Sequence, residues 1–371
     1  MPVIAQSNTT ASFDWNIFAD LPSFNHQDKS IGVAGPIVGV LQNKLIVAGG
    51  ANFPEKMPWQ GGKKMYYNHI FIFEKNNKLA TPVKNEITLP HNNAYSASCI
   101  TPLGIVYAGG ENESGLSQKV YLIKWDKESN SMIIVNLPDL PEPITNASLS
   151  YLDNTIYFIG GETTTTTSNH FISLDLAHLK EGWHQLPSIP KPLSNLVSAA
   201  FLSNAHKQIF IIGGRAKQKN GISIFSSEVY AFDIKNKTWN VKKELPYAIS
   251  AGTGLLVNDS YIILFGGDKG DRFNMVETQI SKINLENDTV VKNKLNLVKN
   301  NLLETHPGFS GEILLYHIQK NQWISNGLMP FTTAVTTQAV QWGNEVVIPS
   351  GEIKAGVRTP RIMTAKISFH E

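Results

Sequence analysis

The sequence contains little cysteine, no long apolar run and almost no net charge. Its single cysteine, Cys99, excludes an internal disulfide and a cysteine-based metal cluster, and its place in the run YSASCI predicts a small buried residue. No run approaches the roughly 18 consecutive apolar residues that a membrane-spanning helix needs. With a formal net charge of +2 over 371 residues, neither nucleic acid nor an anionic membrane is expected as a partner.

A pair of glycines follows a β-branched run at a regular interval along the chain. Successive first glycines are 60, 51, 53 and 53 residues apart, and a degenerate sixth pair, Ser350 and Gly351, follows after a further 84. A Leu-Pro pair that closes a strand falls between these marks, with Met329 and Pro330 as its last variant. Six copies of each mark predict six repeated units. The five full doublets begin at Gly49, Gly109, Gly160, Gly213 and Gly266.

The order of the two marks predicts how the repeat closes. The first Leu-Pro pair, Leu21 and Pro22, precedes the first glycine doublet, and no such pair follows the last one. The N-terminal segment therefore supplies the outer strand that the C-terminal unit lacks, and a ring closed in this way protects its strand edges. We predict an all-β, six-bladed propeller that forms one domain over residues 1–371. Its blades are expected at about 31–90, 94–141, 144–190, 197–246, 250–330 and 334–371 plus 11–22.

Two long insertions interrupt the regular pattern. About forty residues separate Gly270 from Gly311 in blade five, whereas loops longer than about 15 residues in compact domains are usually functional or disordered. Within this insertion VKNKLNLVKNNLLE spaces its leucines as a helix does, which predicts a partly helical cap that ends near His306. The long loop of blade one offers the candidate pocket residues Asn52, Phe53, Trp59 and Lys63.

Strand direction predicts where the polar residues gather. Because successive antiparallel strands reverse direction, the loops that leave the second strands and enter the first strands open on one face of the ring. A concave mouth with a few convergent polar groups is where a small-molecule site is expected. The residues after the doublets are Glu111, Glu162, Arg215, Asp268 and Glu352, and the entering loops add Asn92, Asn146, Asn195 and Thr336.

The repeat is similar to that of the Kelch family of β-propellers. Three marks carry the resemblance: the glycine doublet, an aromatic residue in the third strand and a tryptophan that opens the fourth. Blades one and two lack this tryptophan. The aromatic residues are Tyr121, Tyr230 and Tyr316, and the tryptophans are Trp15, Trp183, Trp239 and Trp323.

Three motifs narrow the resemblance. GGANFP and GGKKMYY in the first blade and SGEIKAGVRTP in the last resemble the N-acetylneuraminate epimerases, the sialic-acid mutarotases of the Kelch group. The resemblance covers all six blades, and its most specific part is GE-x-K-x-G-x-R-T at Gly351 to Thr359. That motif commonly lies mid-chain in the family, so this chain resembles a cyclically permuted branch. Ala355 replaces the usual proline, which changes the stiffness of the loop rather than its chemistry.

The implied reaction interconverts the α and β anomers of N-acetylneuraminate by opening and re-closing the hemiketal. A partly buried carboxylate can shuttle the proton that this requires, and Glu352 is expected in that role. A planar guanidinium binds the carboxylate of the substrate bidentately, the expected role of Arg358, with Arg215 as second choice. Neither a metal nor a cofactor is implied. The predicted substrate-binding residues are Arg215, Glu111, Glu162, Asp268, Asn52 and His306.

The same residues argue against two other propeller functions. A galactose-oxidase-like copper site needs a cysteine cross-linked to tyrosine, and Cys99 lies in a core context; the S-x-D-x-G-x-x-W box of sialidases is absent. Two alternatives stay open because fold alone does not fix function. One is a sugar-binding propeller without turnover. The other is a protein-interaction module, which predicts an apolar or charge-patterned mouth.

The sequence leaves two expectations for the cellular compartment of the protein. The N-terminal stretch MPVIAQSNTTASF has neither a basic segment nor an apolar core of signal-peptide length. This is typical of a cytoplasmic protein or of one whose signal has been removed. The resemblance implies the periplasm, where family members usually act ahead of an uptake transporter. The sequence does not predict an oligomeric state.

Overall fold

The computed structural model describes residues 10–24, 29–75, 77–81, 87–126, 128–129, 131–203 and 206–370. Its main elements are six four-stranded antiparallel sheets arranged as the blades of a propeller. The prediction of an all-β, six-bladed propeller is therefore confirmed. Residues 1–9, which carry most of the stretch considered for a signal sequence, lie outside the described residues.

Each of the first three blades is built from four strands that are consecutive along the chain apart from short ribbons. The strands of blade one are Ile37–Leu41, Lys44–Ala48, Ile70–Glu74 and Asn77–Thr81. Those of blade two are Ala97–Thr101, Gly104–Ala108, Val120–Asp126 and Ser131–Asn136. Those of blade three are Ser148–Leu152, Thr155–Ile159, Phe171–Asp175 and His184–Gln185.

Blades four and five follow the same order, whereas blade six combines both ends of the chain. The strands of blade four are Val197–Leu202, Lys207–Ile212, Val229–Asp233 and Thr238–Val241. Those of blade five are Thr253–Val257, Tyr261–Gly267, Ser310–His317 and Gln322–Leu328. Those of blade six are Val340–Trp342, Glu345–Pro349, Arg361–His370 and, as the outer strand, Thr10–Asp20.

The ring closes through the pairing of Thr10–Asp20 with Arg361–His370, which runs from Thr10 opposite His370 to Asp20 opposite Arg361. This is the closure that the order of the Leu-Pro and glycine marks predicted. Without it the last strand would expose a long unpaired edge, a common site of aggregation.

The hydrophobic core lies between the blades rather than within one. Six buried clusters each join two adjacent blades, for example blades two and three or blades six and one. Strands such as Lys44–Ala48 and Lys207–Ile212 are rich in branched and aromatic residues, which suit an extended backbone. Because both faces of each blade are covered, these strands are runs of apolar residues instead of alternating ones.

The glycine doublets mark a sharp turn at the end of each second strand. The first member of every pair, including Ser350, has a φ between 56° and 69°, a left-handed conformation that glycine adopts without steric cost. Serine is held there by its fully buried hydroxyl, which accepts the N–H of Val33 and bonds the carbonyl oxygens of Val33 and Thr359 at 2.8 to 2.9 Å. Four of the six turns continue into two-stranded ribbons: Ala51–Asn52 with Met65–Tyr66, Glu111–Asn112 with Gly115–Leu116, Arg215–Lys217 with Ser223–Phe225, and Glu352–Lys354 with Val357–Arg358.

A closed ring of six backbone hydrogen bonds surrounds the central channel. The residue that enters each blade donates its N–H to the carbonyl oxygen of the equivalent residue in the preceding blade, at 2.7 to 3.2 Å. All six residues have a φ between 51° and 64°. In chain order they are Gly35, Tyr95, Asn146, Asn195, Ala251 and Thr336.

Tryptophans of the outer strands join neighbouring blades. The indole N–H groups of Trp183 and Trp239 donate to the carbonyl oxygens of Pro138 and Pro187, each at 2.9 Å, which ties blades three and four to the Leu-Pro marks of the blades before them. The indole of Trp323 donates instead to the carbonyl oxygen of Lys243, two residues before the Leu-Pro pair of blade four, also at 2.9 Å.

The insertion of blade five forms a helical hairpin, α1 (Asp271–Leu285) and α2 (Thr289–Glu304). The side chain of Asp288 caps α2 by accepting the N–H groups of Val290 and Val291. Only α2 was predicted from the leucine spacing. Short 3-10 helices lie at Pro58–Gln60 and Leu179–Glu181. In the part of the chain that the structure describes, no helix has the length and apolar character needed to cross a membrane.

Replacing Trp342 with alanine is expected to lower the free energy of unfolding by about 3–5 kcal/mol. Its indole is fully buried at the seam between blades six and one and donates to the carbonyl oxygen of Asn43 at 2.7 Å. Urea denaturation followed by circular dichroism measures the loss. The control is Val241→Ala, at a residue that is 78% exposed on the outer strand of blade four, where a change within about 0.5 kcal/mol is expected. Equal losses in the two variants would contradict the role of the seam.

Candidate active site

A cavity of about 440 Å³ lies at the mouth of the propeller beneath the helical cap. Ring residues form its floor, the ribbons of blades four and six its sides, and α1, α2 and the loop of blade one its roof. Every blade contributes to the lining, so the cavity exists only when the ring is closed. Its size falls within the range of about 300–1,000 Å³ found for small-molecule pockets.

Glu352 and Arg358 face each other across the ribbon of blade six. The two residues are paired in its register, and Arg358 Nη2 lies 3.7 Å from Glu352 Oε2. Gly356, at the turn of the ribbon with a φ of 73°, donates its N–H to Glu352 Oε1 at 2.8 Å. A side chain at position 356 would meet Met57 and Trp59 of the blade-one loop within 3.2 Å. Glycine is therefore needed both for the turn and for this contact.

The guanidinium of Arg358 is buried and only partly paired. Its side chain is 4% exposed, lies over the ring of Phe53 at 4.8 Å and has Nη2 3.5 Å from the hydroxyl of Tyr95. Its Nε and Nη1 have no hydrogen-bond partner among the described residues. Buried polar groups are normally paired, and an unpaired buried charge is costly. The arrangement therefore suits an anion bound from the cavity.

Arg215, by contrast, is already neutralised. Its Nη2 lies 2.9 Å from Glu162 Oε1, its Nη1 donates to Ser223 Oγ at 3.2 Å, and its guanidinium lies over the ring of Phe273 at 4.8 Å. Glu162 also accepts the hydroxyl of Ser194 at 2.6 Å. Of Arg215 and Arg358, Arg358 is the one with donors to spare.

Asp268 and His306 complete the polar groups of the wall. Asp268 Oδ1 accepts the N–H of Gly270 at 2.8 Å, and burial raises the pKa of its carboxyl against the opposing effects of that hydrogen bond and of Arg215. His306 Nδ1 accepts the N–H of Gly308 at 3.0 Å, which leaves Nε2 to carry the proton. Burial, together with two nearby cations, lowers the pKa of His306.

The structure brings together five of the predicted site residues and separates three. Glu111 binds Lys64 at 3.0 Å and Tyr66 at 2.8 Å, and Glu111 and Glu162 line a neighbouring cavity of about 450 Å³. Asn52 is fully buried, donating to Gly32 and accepting from Tyr67 at 2.8 Å each, so it is a packing residue of the blade. The residues that share the wall of the main cavity are Arg215, Asp268, His306, Glu352 and Arg358.

Comparison with known proteins places the chain in a family. A sequence model described as N-acetylneuraminate epimerase matches residues 137–371, which is more than half of the chain. The chain belongs to the N-acetylneuraminate epimerase family. The match contains the whole Glu352–Arg358 ribbon and both helices of the cap, and it leaves blade one and nearly all of blade two outside.

Curated members of the epimerase family are distant relatives. The N-acetylneuraminate epimerase of Salmonella enteritidis PT4 is 24% identical over 233 residues, covering 62% of this chain and 58% of the relative. That of Yersinia pestis Pestoides F is 24% identical over 229 residues, covering 61% and 56%. The aligned chain thus spans less than two thirds of the length of these relatives.

Sequence reasoning missed several residues of the candidate site. Lys64 lines the cavity, whereas Lys63, the candidate from the sequence, is exposed. Side chains alternate between the two faces of an extended segment, so counting back from the strand Met65–Tyr66 could have distinguished the two lysines. Tyr95 takes the ring position that was assigned to Asn92, whose amide instead donates to Glu113. The roof residues Arg272 and Phe273 belong to the unpredicted helix α1.

No group of three or more potential metal-ligating side chains from His, Cys, Asp and Glu occurs within the described ranges. The polar groups of the cavity wall are held instead by hydrogen bonds and ion pairs to other protein groups. The site can therefore offer carboxylates, guanidinium groups and an imidazole to a ligand.

An NMR titration of the histidines tests this geometry. His306 is expected to titrate below the usual value of 6.5 because burial, Arg272 and Lys354 disfavour its charged form. His178, on an outer turn, is expected to titrate above 6.5 because Asp175 accepts a hydrogen bond from its ring at 2.8 Å. The two residues thus serve as opposite internal controls, with His306→Gln to assign the signal. Titration of His306 at or above the pH of His178 would contradict its place beneath the cap.

Proposed function

We propose that this chain is a mutarotase that interconverts the α and β anomers of N-acetylneuraminate. The observation that carries the proposal is the buried, partly unpaired guanidinium of Arg358, which lies 3.7 Å from the carboxylate of Glu352 in a covered cavity. The family supports the same substrate class.

Arg358 fixes the substrate by its carboxylate. In a 2-keto sugar acid the carboxylate carbon is bonded directly to the anomeric carbon. A group beside the bound carboxylate is therefore also beside the anomeric hydroxyl. Glu352 occupies that position and takes the hydroxyl proton as the ring opens, a general-base step that typically contributes about 100- to 10,000-fold.

The roof of the cavity favours a small free sugar over a protein partner. Trp59 of the blade-one loop donates from its indole to Glu304 of α2 at 3.0 Å, joining the two insertions above the site. A flat protein surface could not reach Arg358, whose side chain is only 4% exposed. We propose that the protein acts as one domain on a monosaccharide acid, in the periplasm, with neither nucleic acid nor membrane as partner.

The first test follows α-N-acetylneuraminate, freshly released by a sialidase, as it relaxes to the β anomer, measured by proton NMR. The protein is expected to accelerate this relaxation, and Glu352→Gln to lose about 100-fold or more of the acceleration. Glu244→Gln, an exposed carboxylate of blade four, is the matched control. Line broadening of the ligand without acceleration would instead identify a sugar-binding propeller, and neither effect would favour a protein-interaction module.

A second test addresses the binding of the substrate carboxylate by Arg358. Arg358→Lys keeps the charge but loses the planar donor array, so KM is expected to rise at least about tenfold, since hydrogen bonds to charged groups contribute about 1.5–3 kcal/mol each. The control is Arg361→Lys on the exposed start of the next strand. An unchanged KM in Arg358→Lys would show that another group binds the carboxylate.

A further inference from the structure

We propose that Asp268 is a second catalytic residue of this site: it protonates the ring oxygen of the sugar while Glu352 takes the proton of the anomeric hydroxyl. This inference rests on the function proposed above and assigns Asp268 a proton-transfer role in addition to substrate binding.

Asp268 is held rigidly in the cavity wall. It follows the second strand of blade five, Tyr261–Gly267, and its backbone exchanges two hydrogen bonds with Ser250, at 2.8 and 2.9 Å. Ser250 directly precedes Ala251, a member of the ring of hydrogen bonds around the channel. The carboxyl group of Asp268 therefore keeps a fixed position relative to Glu352, which lines the same cavity from the ribbon of blade six. A fixed separation of donor and acceptor is what paired proton transfer requires.

The two carboxyl groups differ in how they are partnered. Both oxygens of Glu352 face donors, the N–H of Gly356 and the guanidinium of Arg358. Only Oδ1 of Asp268 accepts a hydrogen bond, and Oδ2 has no such partner among the described residues. Two carboxyl groups in unlike surroundings are the usual arrangement for one acid and one base.

The charges around Asp268 support its role as the acid. Burial is the largest influence and raises its pKa; the N–H of Gly270 and Arg215 oppose this, while Asp271 and Glu352 add to it. Arg215 is already paired with Glu162 at 2.9 Å. The charged or titratable groups that surround Asp268 are Arg215, Lys269, Asp271, Arg272, His306 and Glu352.

The proposed step balances in protons and electrons. Glu352 removes the proton from the anomeric oxygen, the carbonyl forms, the bond from the anomeric carbon to the ring oxygen breaks, and that oxygen takes the proton of Asp268. Re-closure on the other face of the carbonyl reverses each transfer: Asp268 takes the proton back from the sugar hydroxyl, and Glu352 returns its proton to the carbonyl oxygen. Both carboxyl groups end as they began, and no redox partner is needed.

The alternative role for Asp268 is structural, because its hydrogen bond to Gly270 shapes the turn that begins α1. Asp268→Asn separates the two roles, since the amide oxygen of asparagine can accept the same N–H but the side chain cannot give up an acidic proton. Asp268→Glu restores the acid on a longer side chain.

The experiment measures kcat and KM for mutarotation as a function of pH, after subtraction of the spontaneous rate at each pH. The wild type is expected to give a bell-shaped profile whose alkaline limb reports loss of the Asp268 proton. The pKa of His306 is lowered, and His306→Gln shows whether its titration contributes to either limb. Asp268→Asn is expected to lower kcat about 100-fold, with little change in KM, and to lose the alkaline limb. Asp268→Glu is expected to recover part of the lost kcat and to restore the alkaline limb of the profile.

Asp271→Asn is the matched control, because it makes the same Asp-to-Asn change three residues away on the exposed start of α1. It is expected to keep kcat and to move the alkaline limb slightly to lower pH, since a like charge that raises the pKa of Asp268 is removed. An unchanged kcat in Asp268→Asn, a rise in KM alone, or an unchanged alkaline limb would each overturn the role of Asp268 while leaving the mutarotase intact. A wild type without any acceleration would overturn both proposals.

Discussion

The structure depends on the ring of six backbone hydrogen bonds around the channel. Each bond needs a residue in the left-handed region, which costs roughly 1–3 kcal/mol for a residue other than glycine. Only Gly35 avoids this cost, whereas Tyr95 and Ala251 bear it without a side chain that can hydrogen-bond to the adjacent backbone as asparagine can. Thr336 bears it with its hydroxyl donating to the carbonyl oxygen of Val335 at 2.7 Å. The hydrophobic clusters between blades and the strand that closes the ring must offset the total cost of these left-handed residues. Weakening the seam at Trp342 therefore threatens the site as well as the fold.

The same ring explains why the chemistry lies at the mouth. Every glycine doublet turns the chain back beside the entering loop, so the residue after each doublet is bridged to the residue before the ring position, as Asp268 is to Ser250 and Glu352 to Val335. Residues far apart in sequence are thereby held at fixed places around one opening. A rigid frame of this kind suits a reaction that needs two proton-transfer groups at set positions.

Much of the fold was predictable because the residues that mark the repeat are ones that its backbone conformation requires. Glycine at the doublets and the order of the Leu-Pro marks predicted six blades, their closure and the face that carries Glu352. What could not be predicted depends on contacts between blades. Asn52 is the second residue after its doublet, as Asn112 is, yet its partners Gly32 and Tyr67 keep Asn52 fully buried. Helix α1 lacks the usual sequence signal of a helix start, because Gly270 at its N-terminus has no side chain to cap it.

The difference between Arg215 and Arg358 is the clearest example of a feature that the sequence does not predict. Both Arg215 and Arg358 lie in the ribbon that follows a doublet, and the sequence offers both as candidates to bind a carboxylate. The fold makes them different by supplying Glu162 to Arg215 at 2.9 Å and leaving two nitrogens of Arg358 unpaired within the described residues. A guanidinium that is already fully paired gains little from a second anion, whereas a buried one with unpaired donors gains much more. The capacity of the cavity to bind an anion therefore depends on the donors that Arg358 leaves unpaired within the described residues.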